Sequence, residues 1–191
     1  MSSLHLNLFA AVLLAANVAG AATIGLYSTP RCTSCNLNIP PTATEGRFYV
    51  CASGATSEEF CGGSSEFEFR IEGLRLGWVA IAVRSPNAQF ALGDPFGLGC
   101  IIAFSEPQTQ ECTLLYTVTI TPSTPGARST LRVRPHFSPS DPELTCIRAM
   151  SACPQSPGIC LGGGALLINS DTTCSVVVQP TTWASVKALY E

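Results

Sequence analysis

Cysteines are the residues of this chain best suited to chemistry, and all ten of them lie beyond residue 31. Cysteine thiols form disulfides in oxidising compartments, bind zinc, or act as redox nucleophiles. An even number of cysteines favours up to five structural disulfides with no free thiol. The ten residues are Cys32, Cys35, Cys51, Cys61, Cys100, Cys112, Cys146, Cys153, Cys160 and Cys174.

Cys32 and Cys35 have the C-x-x-C spacing of a redox motif or of half a zinc site. A redox motif begins a helix after a strand, whereas here Pro30 precedes the pair and asparagines and prolines follow it, which indicates a loop. A zinc site needs a second ligand pair, and only the cysteine cluster at 146–160 offers one. We therefore favour structural disulfides and predict neither a metal nor a cofactor.

Two pairs of cysteines flank short polar loops between segments that resemble strands. Cys51 and Cys61 form one pair, and Cys100 and Cys112 form the other. The two ends of a hairpin can reach the Cα separation of about 5.5 Å that a disulfide requires. The sequence thus predicts two hairpin disulfides, while the other six cysteines either join the N-terminal loop to the last third or pair within each segment.

Histidine and the carboxylates offer little for catalysis. His136 is the only histidine in the body of the chain, and no G-x-S-x-G motif supplies a nucleophile for it. Glu58 with Glu59, and Glu66 with Glu68, are close in sequence, but a loop and the wet face of a strand favour solvated charges over a glycosidase pair. We predict no catalytic residue and a protein that is not an enzyme.

An apolar stretch at 8–21 runs into small residues, with Ala19 and Ala21 in the A-x-A relation that a signal peptidase reads. The stretch is short for a membrane span, which needs about 20 apolar residues. The sequence predicts a signal peptide over 1–22, cleaved after Ala21 or Ala22, with a retained anchor as the alternative. The mature protein is then secreted, periplasmic or on the cell surface.

Charge and hydropathy limit the classes of partner. The net charge is −3 and the isoelectric point is about 5.4, whereas surfaces that bind nucleic acid need clustered basic residues. No later segment is apolar over the length of a membrane span. We expect an unidentified protein or glycan at the cell surface as partner, no nucleic acid, and no membrane span after signal cleavage.

A period of two dominates the rest of the chain. In residues 66–72, Phe67, Phe69 and Ile71 alternate with charged residues, which is typical of a strand with one wet face. Turn residues separate about nine such segments, which predicts an antiparallel Ig-like β-sandwich over 23–180. The predicted strands are 23–27, 47–52, 66–72, 78–84, 99–104, 113–121, 129–134, 165–169 and 173–178.

Trp78 shares its predicted strand face with Ala80 and Ala82. Small residues beside an aromatic ring leave room for another element to pack there. The face is either a second core layer or an exposed aromatic platform that binds a sugar or a peptide. The second interpretation makes the protein a carbohydrate- or peptide-binding module.

Residues 181–191 are predicted to form a short helix. Trp183, Val186, Leu189 and Tyr190 would form an apolar stripe along it. Three turns of helix are marginal in water, so this stripe must dock. Its own domain is the nearest cover, and a sorting or assembly partner is the alternative.

Two resemblances extend these expectations. The segments EFEFRI, GWVA, IIAF and LLYTVTI, within 66–133, resemble the strand order of cohesin-type and related Ig-like binding sandwiches. The whole layout, with a leader, early cysteines, LGDP before GCIIAF and a TWASVKALY tail, resembles small secreted cysteine-rich proteins of environmental bacteria. The resemblances imply secretion and the fold, carry over no functional residue, and lead us to expect a structural or interaction module.

Overall fold

The computed structural model describes residues 22–54, 60–137, 146–153 and 158–174. These ranges contain no helix that could cross a membrane. They form twelve strands: β1 (Thr23–Tyr27), β2 (Asn36–Leu37), β3 (Gly46–Ser53), β4 (Ser64–Glu72), β5 (Val79–Arg84), β6 (Ala88–Asp94), β7 (Gly99–Gln108), β8 (Cys112–Thr121), β9 (Ser129–Arg134), β10 (Ile147–Ser151), β11 (Ile159–Gly163) and β12 (Ala165–Ile168).

The strands form two layers. In the first layer the order is β11-β1-β3-β8-β5, with β1 parallel to β11 and the other neighbours antiparallel. In the second layer β4 pairs with β7 along one edge and with β10 and β9 along the other, and β6 lies outside β7. The pairing of β10 with β11 joins the layers at one side, so the opposite side, formed by β5 and β6, is open.

The core lies between the layers, and β4 contributes its largest side chains. Phe67, Phe69 and Ile71 are buried, as the alternation in the sequence predicted. The ring of Phe67 meets Phe104 of β7 edge to face at 6.2 Å, and the ring of Phe69 meets Tyr116 of β8 at 6.1 Å. The second contact joins the two layers directly, in a geometry that aromatic rings favour.

The mainly β, disulfide-stapled sandwich that the sequence predicted is confirmed, with differences in the strands. Eight of the nine predicted segments contain a strand. The ninth, 173–178, is not a strand at its first two residues, and the rest lies outside the described residues. Four strands were not predicted, because β2 has two residues, β6 contains a bulge, and β10 and β11 are interrupted by glycine, serine and cysteine.

Four disulfides staple the described residues, and three of them join segments that are distant in the sequence. The described pairs are Cys32–Cys112, Cys35–Cys174, Cys61–Cys153 and Cys146–Cys160. Three of them close loops of 80, 139 and 92 residues, and a long closed loop restricts the unfolded chain strongly. The C-x-x-C pair therefore ties one loop to two distant segments, through Cys32 to the start of β8 and through Cys35 to Cys174, which follows β12.

The two hairpin disulfides predicted from the sequence are wrong. Cys61 bonds to Cys153 and Cys112 bonds to Cys32, whereas Cys51 and Cys100 carry free thiols. The physical reason is that β3 and β4 lie in different layers, as do β7 and β8. The polar loops after β3 and β7 therefore cross between layers instead of closing hairpins.

Both free thiols are buried in the sandwich. Cys51 lies in β3. Its sulfur and the sulfurs of Cys32 and Cys112 all lie within 4.8 Å of one another. Since Cys32 and Cys112 are bonded to each other, Cys51 is a thiol beside a disulfide. Cys100 lies in β7, opposite Phe69 of β4. Burial raises the pKa of both thiols to about 12.

We expect iodoacetamide to label no cysteine in the native, unreduced protein at pH 8. Both thiols are inaccessible, and with a pKa of about 12 only about one in 10⁴ is ionised at that pH. After unfolding in guanidinium without a reductant, Cys51 and Cys100 should both be labelled. Peptide mapping by mass spectrometry would show this, and labelling of none or of four cysteines would contradict the pairing.

Candidate functional site

Exposed apolar side chains are concentrated at the open side of the sandwich. Among the described residues, all the large hydrophobic side chains with high exposure except Phe137 lie between residues 76 and 98. Single exposed apolar residues are normal on protein surfaces, but a cluster indicates an interaction site. The clustered residues are Leu76, Val79, Ile81, Val83, Phe90, Leu92 and Leu98.

Strand β5 carries the most regular part of this cluster. Val79, Ile81 and Val83 point out of the sandwich and are exposed, whereas Ala80 and Ala82 point toward the interior and are half-buried. This alternation follows from the pleat of a strand. Each of the three outward residues lies opposite a threonine of β8, in a register without interruption. The outer face of β5 is thus a row of three β-branched side chains beside a polar strand.

Among the described residues, no strand pairs with the outer edge of β5, and this edge has none of the usual protection. Edge strands are normally kept from pairing with other chains by charges, bulges, proline or shortness. Strand β2 has two residues, and β6 has a bulge between Ala88 and Phe90 and a glycine, Gly93, with a φ of 87°. Strand β5 is regular over six residues and carries a charge only at its end, Arg84. Of these three edges, β5 is the one built to accept a further strand.

A groove of about 330 Å³ lies between β5 and β6. Its walls are the small side chains of Ala80 and Ala82 on β5 and of Ala91 on β6, together with the buried Tyr116 of β8. The two strands meet no common partner along these edges, since β5 pairs with β8 and β6 pairs with β7. The groove can therefore accept an apolar side chain from a chain that lies along β5.

The polar groups beside the groove form hydrogen bonds with one another and with the backbone. The hydroxyl of Tyr116 shares a hydrogen bond with the thiol of Cys100, and burial raises the pKa of both groups, so both are protonated at neutral pH. At the margin, Arg84 donates a hydrogen bond to the carbonyl of Gln89 at 3.1 Å, which holds it toward β6. These contacts shape the groove.

The interpretation of Trp78 as an exposed aromatic platform is wrong. Its side chain is 5% exposed and belongs to the core, because the turn before β5, in which the Trp78 amide donates to the Arg75 carbonyl, directs the ring inward. The alternative interpretation, a core layer, is correct for this residue. Sequence reasoning missed the outward row of Val79, Ile81 and Val83, although its signal was present as an apolar residue at every position from 78 to 83.

The predicted tail stripe of Trp183, Val186, Leu189 and Tyr190 lies outside the described residues, as does most of the predicted signal peptide. Ala22, the last residue assigned to that peptide, is described and buried, and its carbonyl accepts a hydrogen bond from the Gly162 amide. The signal peptide and the tail therefore remain predictions.

A second cleft, of about 530 Å³, lies where β2 approaches the end of β12. Two of the three asparagines that line it form hydrogen bonds with the backbone. The Asn169 carboxamide accepts from the Ile39 amide at 2.7 Å and donates to the Ala127 carbonyl at 3.1 Å, and Asn36 accepts from the Cys174 amide at 2.9 Å. The cleft is thus a structural joint that fixes three loops.

One solved structure supports the fold. No protein-family model matches the chain, and no curated protein matches it. Among solved structures it is similar to the cohesin module of a family 33 glycoside hydrolase from Clostridium perfringens ATCC13124, with a TM-score of 0.52 and 9% identity over 78% of this chain and 93% of that module. It also matches the seventh ScaB type I cohesin of Pseudobacteroides cellulosolvens, with a TM-score of 0.42 and 9% identity over 76% and 97%.

The first likeness confirms the cohesin-type sandwich that the strand order suggested. At 9% identity it shows the fold alone, because one fold carries many functions. The function must therefore be argued from the surface of this chain.

We expect Asn169→Ala to lower the free energy of unfolding by about 2–3 kcal/mol. The change removes two hydrogen bonds, each worth about 1 kcal/mol, and places alanine at a φ of 51°, a region that costs an alanine about 1 kcal/mol. Asn169→Gly is the matched control, since it loses the bonds but tolerates the φ, and it should be less destabilising. Equal effects of the two substitutions in urea unfolding would contradict the backbone argument.

We expect Ile81→Ala to change the free energy of unfolding by less than about 1 kcal/mol, because the side chain is 61% exposed. Ile120→Ala on the neighbouring strand is the matched control. Ile120 is fully buried, so its truncation should cost about 2–5 kcal/mol. Urea denaturation of both variants would test this, and a loss of similar size at the two positions would show that Ile81 serves the fold.

Proposed function

We propose that this protein is a non-enzymatic extracellular interaction module that binds a protein partner by adding a strand to the free edge of β5. In strand addition, main-chain hydrogen bonds give affinity, and side chains at alternate positions give specificity. The edge of β5 offers both, since no described strand pairs with its outer side along six residues and its outer face carries apolar side chains.

The absence of protection on β5 is the observation that carries this proposal. An exposed, regular, apolar edge strand is an aggregation hazard, and the β2 and β6 edges are short or bulged. A partner that pairs with β5 removes the hazard and satisfies its free backbone groups. The groove beside β5 adds a place for inward-pointing side chains of the incoming strand.

The disulfides support an extracellular setting. Disulfides form and persist in oxidising compartments, and this chain has four of them, three of which join distant segments. Such a framework keeps a binding edge rigid outside the cell, where chaperones do not protect it. The predicted signal peptide agrees with this setting.

The carbohydrate-binding alternative depended on an exposed Trp78, and this residue is buried. Sugar-binding surfaces use exposed aromatic rings, and Trp78 is in the core. The exposed phenylalanines among the described residues, Phe90 and Phe137, lie on different elements. The surface of the described residues thus favours a peptide chain over a glycan.

We expect the immobilised protein to select linear peptides from a displayed random library. Selected peptides should carry β-branched or aromatic residues at alternate positions, because these pair across strands. Ile81→Lys should weaken their binding at least roughly tenfold, because it places a charge in the middle of the apolar row. Fluorescence anisotropy with synthetic copies of the selected peptides measures the affinities.

Phe137→Lys is the matched control, since Phe137 is also an exposed apolar residue, at 48%, but lies outside β5 and outside the cluster of exposed apolar residues. It should bind the selected peptides as the wild type does. Selection of no peptide, or binding that Ile81→Lys leaves unchanged, would contradict strand addition. A glycan array with the same two variants tests the alternative, which gains support if a glycan binds both equally.

A further inference from the structure

We infer that the partner of β5 is the β5 strand of a second copy of this chain, an inference that rests on the proposed function. Residues 79–83 read Val-Ala-Ile-Ala-Val, which is the same sequence in both directions. An antiparallel strand pair about a two-fold axis presents each strand to the other in reverse order. A palindromic edge strand is therefore its own complement.

The symmetric register is centred on Ile81. It sets Ile81 opposite Ile81 of the partner subunit, and each terminal valine of the row opposite the other valine of the second copy. All outward pairs are then β-branched, as stable cross-strand pairs prefer, and the inward pairs are alanines that need little room beside the groove. A shift by two residues leaves a valine without a partner at each end, so the register is specified.

Charge does not oppose this pairing. No ionisable residue occurs between 79 and 83, and Arg84 is the first charge beyond them. In the symmetric register the two Arg84 residues lie at opposite ends of the paired segment, about 20 Å apart at about 3.4 Å per residue. This separation exceeds the screening length of about 8 Å in physiological salt. Arg84 is also held toward β6 by its bond to the Gln89 carbonyl.

The expected dimer is weak. Five paired residues bury less than the roughly 800 Å² per partner of a standard interface, so we expect a dissociation constant on the order of micromolar. The protein is then monomeric when dilute and dimeric when concentrated at a surface. The same edge is free for another strand in the dilute state.

Site-directed cross-linking tests the register. Facing residues of an antiparallel pair have Cα atoms about 4.5–5.5 Å apart, within the range of a disulfide. The full chain, expressed into an oxidising compartment with Ile81→Cys, should form a covalent dimer on mild oxidation. Val79→Cys alone should not, because two copies of this position lie about 14 Å apart. Mixing Val79→Cys with Val83→Cys should restore the cross-link.

Sedimentation velocity tests the association without a cross-link. The wild-type chain and Phe137→Lys should shift from monomer to dimer as the concentration rises through the micromolar range, and Ile81→Lys should stay monomeric. A wild type that is monomeric at every concentration overturns the second-copy inference, as does cross-linking of Val79→Cys as efficiently as Ile81→Cys. If peptide binding to β5 persists in that case, the proposed function stands, and if it is also absent, both fail.

Discussion

The alternation of β4 is the constraint on which the rest of the structure depends. This strand pairs with β7 along one edge and with β10 and then β9 along the other. The positions of three other strands therefore depend on its register. A slip by one residue would expose Phe67 and Phe69 and bury the glutamates beside them, which costs far more than a strand pair provides. Because Phe69 also contacts Tyr116, the register of β4 positions β8, and β8 positions β5.

The alternation of apolar and polar residues predicted where individual strands lie, but not how they pair. In β4, and in β8 from Tyr116 onward, the alternation gave the strands and their buried faces, because a period of two needs no knowledge of the neighbours. At the start of β8 it put Leu114 inside, whereas a register shift opposite Val50 and Cys51 buries Leu115 instead. The partner of each strand could not be predicted, since a polar loop that crosses between layers resembles one that closes a hairpin. Cys100 and Cys112 show this difference, because their loop leads from one layer to the other and each cysteine lies in a different environment.

The candidate site was hidden for a similar reason. An apolar residue at every position is typical of a strand that is buried on both faces, and the sequence does not show that β5 ends its layer. The pattern separates a small face, with Ala80 and Ala82, from a larger one with the valines and Ile81. Only the tertiary structure shows that the small face lines the narrow groove and that the larger face meets solvent.

An unprotected edge strand is tolerable if its pairing closes. When the same edge strand of two copies pairs with itself, neither copy keeps that edge free for a third. The result is a two-fold assembly instead of a filament. Growth beyond two copies would need a second edge of equal quality. Neither β2 nor β6 provides such an edge, because β2 is short and β6 contains a bulge and a glycine. The irregularities of β6 and the regularity of β5 thus have one physical consequence, which is that association through β5 would stop at a single added strand.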